Sequence, residues 1–154
     1  SFHYTTTASD RSINLNSVNY SQWFQVAMTW SKAADNLKAY VNGAQIGTTA
    51  TTLGSWISGG LAATGCLIGA RLTTPVQPFN GFIDDVQLFS TPLGSAEIST
   101  IYKDGRGTTT AISRYKLDEG SGTIAIDSIS ANNGTITGAT YSTTNLVSTP
   151  RILV

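Results

Sequence analysis

The stretch WFQVAMTW at residues 23–30, followed after a short break at Ser31–Asn36 by LKAYVNGAQIG at residues 37–47, decides the fold of this chain. Val26, Met28 and Trp30 alternate with Ala27 and Thr29, and Leu37, Ala39 and Val41 alternate with Lys38 and Tyr40. A period of two marks strands with one buried face. Asn42-Gly43 between them is a strong hairpin signal, because both residues tolerate the positive φ of a type I′ turn. Gln45–Thr48 returns as the partner strand.

Moving outward, the pattern stays that of strands. Residues 48–65 are Thr, Gly and Ser around Trp56 and Ile57, a long loop or a weak strand, and long loops often carry function. CLIGAR at 66–71 reads as a strand and Leu72–Pro78 as a loop. Phe79–Phe89 is the longest strand candidate, with Phe82, Val86 and Leu88 on one face and Ile83 and Phe89 on the other. Ser95–Tyr102 places Ile98, Ile101 and Tyr102 at helical spacing, with Ser95 as the cap. A Gly/Thr linker at 105–110 precedes three short strands, Arg114–Leu117, Thr123–Ile126 and Gly134–Thr137. The tail from Thr143 is Ser/Thr-rich but ends in Arg151-Ile152-Leu153-Val154, an apolar end suited to a sheet.

Composition narrows the function classes. The 154 residues suffice for one domain with a sizeable core. Net charge is zero and charged residues make up 12%, about half the usual share. The basic residues do not cluster, so there is no electrostatic footprint for nucleic acid or an anionic membrane. No apolar run of about 20 residues spans a bilayer. Cys66 has no second cysteine to pair with and is expected to be a buried, inert thiol. The opening at Ser1, without an initiator Met, reads as a processed, trimmed or partial start.

The runs WFQVAMTWS, LKAYVNGAQIG, CLIGAR and FNGFIDDVQLFSTPLGSAEI (79–98), in that order and spacing, resemble the back half of a laminin-G-like domain of the concanavalin-type lectin/glucanase family. YKLDEGSGTIAIDSISANNGTITGATY at 115–141 resembles the front end of the same family, so the two blocks stand in inverted order. The resemblance implies an all-β, antiparallel jelly-roll sandwich with one short helix. Residues 1–105 are then the back half, 106–113 a linker or turn, and 114–154 front-end strands that complete the same sandwich or start the next. Three arrangements are open: a window across two tandem domains, a circular permutant, and a strand-exchanged assembly in which residues 114–154 complete a neighbour's sheet.

The resemblance also implies candidate sites. Family members often hold a structural Ca²⁺ at the sandwich rim, and Asp84, Asp85, Asp118 and Asp127 are the candidate ligands, Asp84 or Asp85 meeting Asp118 or Asp127 if the blocks share one sandwich. The competing reading makes them turn and edge residues partnered by Arg71 or Arg114. For a neutral sugar, which needs an aromatic platform and amide hydrogen bonds, the candidates are Trp56, Tyr20, Asn132 and Asn133, with Tyr4 and Tyr141 adding surface. Trp23 and Trp30 are assigned to the core, and the competing reading of Trp56 is the packing anchor of its loop.

Catalysis is not expected. Only Glu97 and Glu119 exist as glutamates, neither in the compact Glu-x-Asp-x-x-Glu strand of related glycosidases. Asp84 and Asp85, adjacent on a strand, point to opposite faces. Gly120-Ser121-Gly122 is a turn, not a phosphate cradle. The expectation is a non-catalytic extracellular, cell-surface or virion-surface recognition module for glycan or protein, with neighbouring copies or domains as partners. The alternative is a structural repeat or assembly unit of an adhesin, an extracellular filament or a viral capsid decoration or fibre, assembling by strand exchange.

Overall fold

A computed structural model of the chain describes residues 2–5, 10–14, 21–54, 66–70 and 78–142, with side chains from residue 12 onward. They fall in two units, one drawn from Ser1–Ser58 and Thr91–Thr110, the other from Gly59–Ser90 and Ala111–Ser148. The architecture is antiparallel strands with one short helix, as the sequence pattern predicts.

In the first unit, β1 (Phe2–Thr5) and β2 (Asp10–Ile13) form an antiparallel hairpin. Strands β3 (Val26–Ser31), β4 (Asn36–Val41) and β5 (Ala44–Ala50) form a sheet in that order. Central β4 is covered on both faces: Leu37 and Ala39 on one, Tyr40 on the other, all fully buried. Leu37 and Ala39 join Ile13 and Leu53, with Met28, Ile46 and Ala50 packed against them. Burying a leucine side chain contributes about 1.5–3 kcal/mol, so these few residues supply much of the unit's stability.

The turns are built as the sequence requires. Asn42 and Gly43 take φ of 49° and 78°, the type I′ signature. Gln25 and Asn42 lock the hairpin to the start of β3: the Gln25 N–H donates to Asn42 Oδ1, and the Asn42 N–H to the Gln25 carbonyl. At the Ser31–Asn36 break, the Asp35 carboxylate accepts the N–H groups of Thr52 and Leu53, each at 2.8 Å. A surface turn thereby seats Leu53 in the core. Gly47 (φ +61°) sits where the β4–β5 register shifts between Leu37 and Ala39.

Helix α1 (Ser95–Asp104) buries Ile98 and Ile101. Gly94, not Ser95, holds the cap position, and no side chain caps the helix, so the expected Ser95 cap is corrected. Gly105 ends the helix in the left-handed conformation, its N–H donating to Ile101 O at 2.9 Å. Glu97 in the first turn accepts the Thr108 hydroxyl (2.9 Å) and the Thr109 N–H (2.6 Å). These bonds hold its carboxyl below the usual range. A Cβ at position 107 would collide with that carboxylate, which explains Gly107.

In the second unit, β6 (Val86–Leu88) pairs antiparallel with β7 (Ser113–Tyr115), and β8 (Ile124–Ala125) with β9 (Gly134–Thr135). An isolated bridge, Tyr115 to Asp127, ties β7 to the chain just after β8. The front-end block therefore pairs with the back-half strand of the same chain.

Two strand expectations are corrected. Of Phe79–Phe89 only Val86–Leu88 is strand, because Asp85 takes φ 49° and breaks the extended run. Residues 66–70 are not strand but irregular with a bend at 68–69, the Gly69 carbonyl (φ +81°) accepting the Phe79 N–H, and Cys66 is exposed rather than buried. Among the described residues no helix is long and apolar enough to cross a membrane.

Candidate functional site

Asp127 organises the second unit. Residues 124–127 alternate, with Ala125 and Asp127 buried and Ile124 and Ile126 exposed at 54% and 51%. A carboxylate can occupy the buried face only if its oxygens are satisfied. Asp127 Oδ1 accepts the N–H groups of Arg114 (3.0 Å), Ile129 (3.0 Å) and Ser130 (3.3 Å), and Oδ2 accepts the Ser130 hydroxyl. Burial opposes its charge, but these donors outweigh burial and hold the carboxyl far below the ordinary range. Asn133 Oδ1 accepts the Asp127 N–H at 3.0 Å.

Asp85 is the second carboxylate of this frame. It accepts Arg114 Nε at 2.6 Å and Gln87 Nε2 at 3.0 Å. Arg114 thus joins β6 to β7 through its guanidinium and reaches Asp127 through its backbone. A calcium ion needs six to eight oxygens, and here N–H and O–H donors and a guanidinium take the carboxylate oxygens. In this arrangement the Asp85 and Asp127 oxygens serve protein donors. Among the described residues no three His, Cys, Asp or Glu side chains gather to hold a metal. Asp84 and Asp118 are exposed.

Around β8 the turn Glu119–Thr123 leaves a shallow depression of about 500 Å³, open to solvent. Gly120 and Gly122, at φ +76° and +98°, permit the turn. Glu119, Ser121, Thr123 and Asn133 supply polar atoms, and Ile124 and Ile126 supply apolar surface. The Glu119 carboxylate is fixed by the Ile126 N–H (2.7 Å) and the Tyr141 hydroxyl (2.6 Å). Burial raises its pKa, but the two hydrogen bonds prevail and hold it below the usual value. Tyr141 is pushed up to about 12 by burial and by its bond and proximity to Glu119.

Of the sequence candidates, Asn133 lines this depression. Asn132 instead serves the turn: its carbonyl accepts the Tyr115 hydroxyl at 2.6 Å and its Nδ2 donates to Ser130 Oγ at 2.9 Å. Trp56 and Tyr20 lie outside the described residues, as do Arg71, Arg151–Val154 and the side chain of Tyr4. In the first unit, Trp23 and Trp30 are 47% and 42% exposed, which corrects their assignment to the core. Trp30 lies on β3, which among the described residues pairs with β4 alone. Sequence reading missed Ile124 and Ile126 as surface groups, because alternating isoleucines normally signal a buried face.

A family model for the concanavalin A-like lectin/glucanases superfamily, of laminin-G type, matches residues 1–99. Among solved structures, the chain is similar to an S-layer domain-containing protein (residues 221–444) from Clostridium thermocellum ATCC 27405, at 25% identity and a TM-score of 0.46. That match covers 56% of this chain and 42% of the other, so the chain spans less than half of its length. No curated protein matches the chain.

Proposed function

The chain belongs to the laminin-G branch of the concanavalin A-like lectin/glucanase superfamily, and from that premise we propose that it is a non-catalytic recognition module, working outside the cell or at a surface on a glycan or protein ligand. The observation that carries this reading is the depression at β8. Its lining mixes two half-exposed isoleucines with hydroxyl, amide and carboxylate groups and, among the described residues, contains no cationic side chain. Such a mixture suits a neutral, hydroxyl-bearing ligand. The non-catalytic part is supported by how the acids are used. Glu97 fastens residues 108–109, Glu119 is clamped between Ile126 and Tyr141, and Asp85 and Asp127 hold Arg114 and a turn.

The test is binding of the chain, displayed in several copies on beads, to a panel of immobilised neutral glycans, acidic glycans and extracellular-matrix proteins. Retention on neutral glycans or on a protein, lost when Ile124 is changed to Ser, supports the reading. Equal retention by the variant refers binding to another surface, and no retention on any member overturns it.

A second reading, an assembly unit, is favoured by Trp23, Val26 and Trp30, all exposed on or just before β3, an edge strand among the described residues. It requires concentration-dependent oligomers in sedimentation velocity that Trp30→Lys abolishes. A monomer at all concentrations rejects it.

A further inference from the structure

We propose that the β8 depression selects a sugar carrying an acetamido group, a neutral N-acetylhexosamine, over its unsubstituted counterpart; the inference rests on the recognition-module reading above. An acetamido group presents a carbonyl acceptor, an N–H donor and a methyl group within a few ångströms of one another. The depression offers the complement of each. Asn133 commits its Oδ1 to the Asp127 N–H, and its amide NH₂ has no bond among the described residues, so it is a donor for the carbonyl. Glu119 is an acceptor for the N–H: its oxygens receive the Ile126 N–H and the Tyr141 hydroxyl, and a carboxylate has about four lone-pair sites in all. Ile124 and Ile126 expose about half their surface and give the methyl an apolar seat.

Charge completes the selection. Glu119 lines the depression and Asp127 is hydrogen-bonded to Asn133, while among the described residues no lysine or arginine lines it. A uronic acid, sialic acid or sulfated sugar therefore meets like charge without a partner, and a phosphate does as well. Ser121 and Thr123 at the rim serve hydroxyl groups, which every hexose has, so they add affinity without discrimination. A shallow site open to water holds one sugar weakly, with Kd on the order of millimolar, and gains strength through repeated copies.

The experiment is an ¹⁵N–¹H correlation titration of the chain with N-acetylglucosamine, glucose, 6-deoxygalactose and glucuronate. The expected result is saturable shifts over residues 119–133 with N-acetylglucosamine, a Kd roughly ten-fold weaker for glucose, and none for glucuronate. Asn133→Asp keeps the acceptor for Asp127 and removes the NH₂ donor. Ile124→Ser leaves the turn bonds untouched and removes the methyl seat. Each is expected to weaken N-acetylglucosamine about ten-fold and glucose hardly at all, and the same spectra report whether each variant is folded. Binding of glucose as tight as N-acetylglucosamine, or preferred binding of 6-deoxygalactose, overturns the acetamido inference and leaves the recognition reading standing. Saturable shifts confined to residues 23–30 overturn the placement alone. Absence of saturable shifts for all four sugars overturns this inference, and the bead panel then decides the recognition reading separately.

Discussion

Tyr40 is fully buried, and its hydroxyl has no hydrogen-bond partner among the described residues. Leaving such a group unsatisfied costs about 1–3 kcal/mol. Tyr40→Phe is therefore expected to raise stability by about 1 kcal/mol, seen as a higher urea midpoint at unchanged slope. A loss of similar size would mean that an ordered water or another group meets the hydroxyl. Tyr141 works in the opposite sense. Its folded pKa of about 12 lies above the ordinary 10.0. The stability linked to its proton is complete below pH 10 and is lost as pH rises through about 12. Alkaline titration of far-ultraviolet circular dichroism is expected to show this loss in the wild type and a flatter limb in Tyr141→Phe.

At the scale of elements, the β4–β5 hairpin shows why some of the fold is legible and some is not. Asn42-Gly43 and the alternation around it are local, so the hairpin and its turn type can be read directly. The same holds for α1 and for the three short strands after it. Failures occur where a single backbone angle overrides the pattern. Asp85 at φ 49° cuts the long apolar run to three strand residues; aspartate enters the left-handed region more readily than most residues, but nothing in the alternation marks Asp85 rather than Asp84 for it. Gly47 is a milder case, since a glycine inside a strand hints at a bulge. A Cβ there would lie 3.1 Å from Ile13 Cγ2, at positive φ. Gly47→Ala is expected to cost about 1–2 kcal/mol in chemical denaturation. A neutral result would mean that β2 gives way at no cost.

Across the whole molecule, the two units are held by different means. Among the described residues, the large side chains that are fully buried, Tyr40, Leu37 and Leu53, all belong to the first unit. In the second, the buried apolar groups among the described residues are Ala111 and Ala125, beside Asp127 with its donors. Much of the candidate site escaped the sequence for this reason. IAID at 124–127 allows either face inward, and the donors that turn the aspartate inward come from residues 114, 129 and 130. Asn133 was readable as a polar turn residue, but its place beside Ile124 and Ile126 depends on that choice. Asp127 is held far below its ordinary 3.8, so the stability it contributes is present above that pH and falls away below it. Native-state hydrogen exchange is expected to show β7–β9 amides opening on acidification before those of β4, by roughly ten-fold or more in rate. Simultaneous loss would indicate a single cooperative unit.

The hydrogen-bonded centre of the second unit also sets how it responds to temperature. Heat capacity rises on unfolding in proportion to the apolar surface exposed and falls with the polar surface. A region that buries alanines and a carboxylate network exposes little hydrocarbon when it opens. Its stability curve is therefore flatter than that of the leucine-centred unit, and it keeps its shape on cooling, where hydrophobic attraction weakens. Of the described parts of the two units, the face that carries Glu119, Ile124 and Asn133 accordingly rests on the one less sensitive to cold and more sensitive to acid.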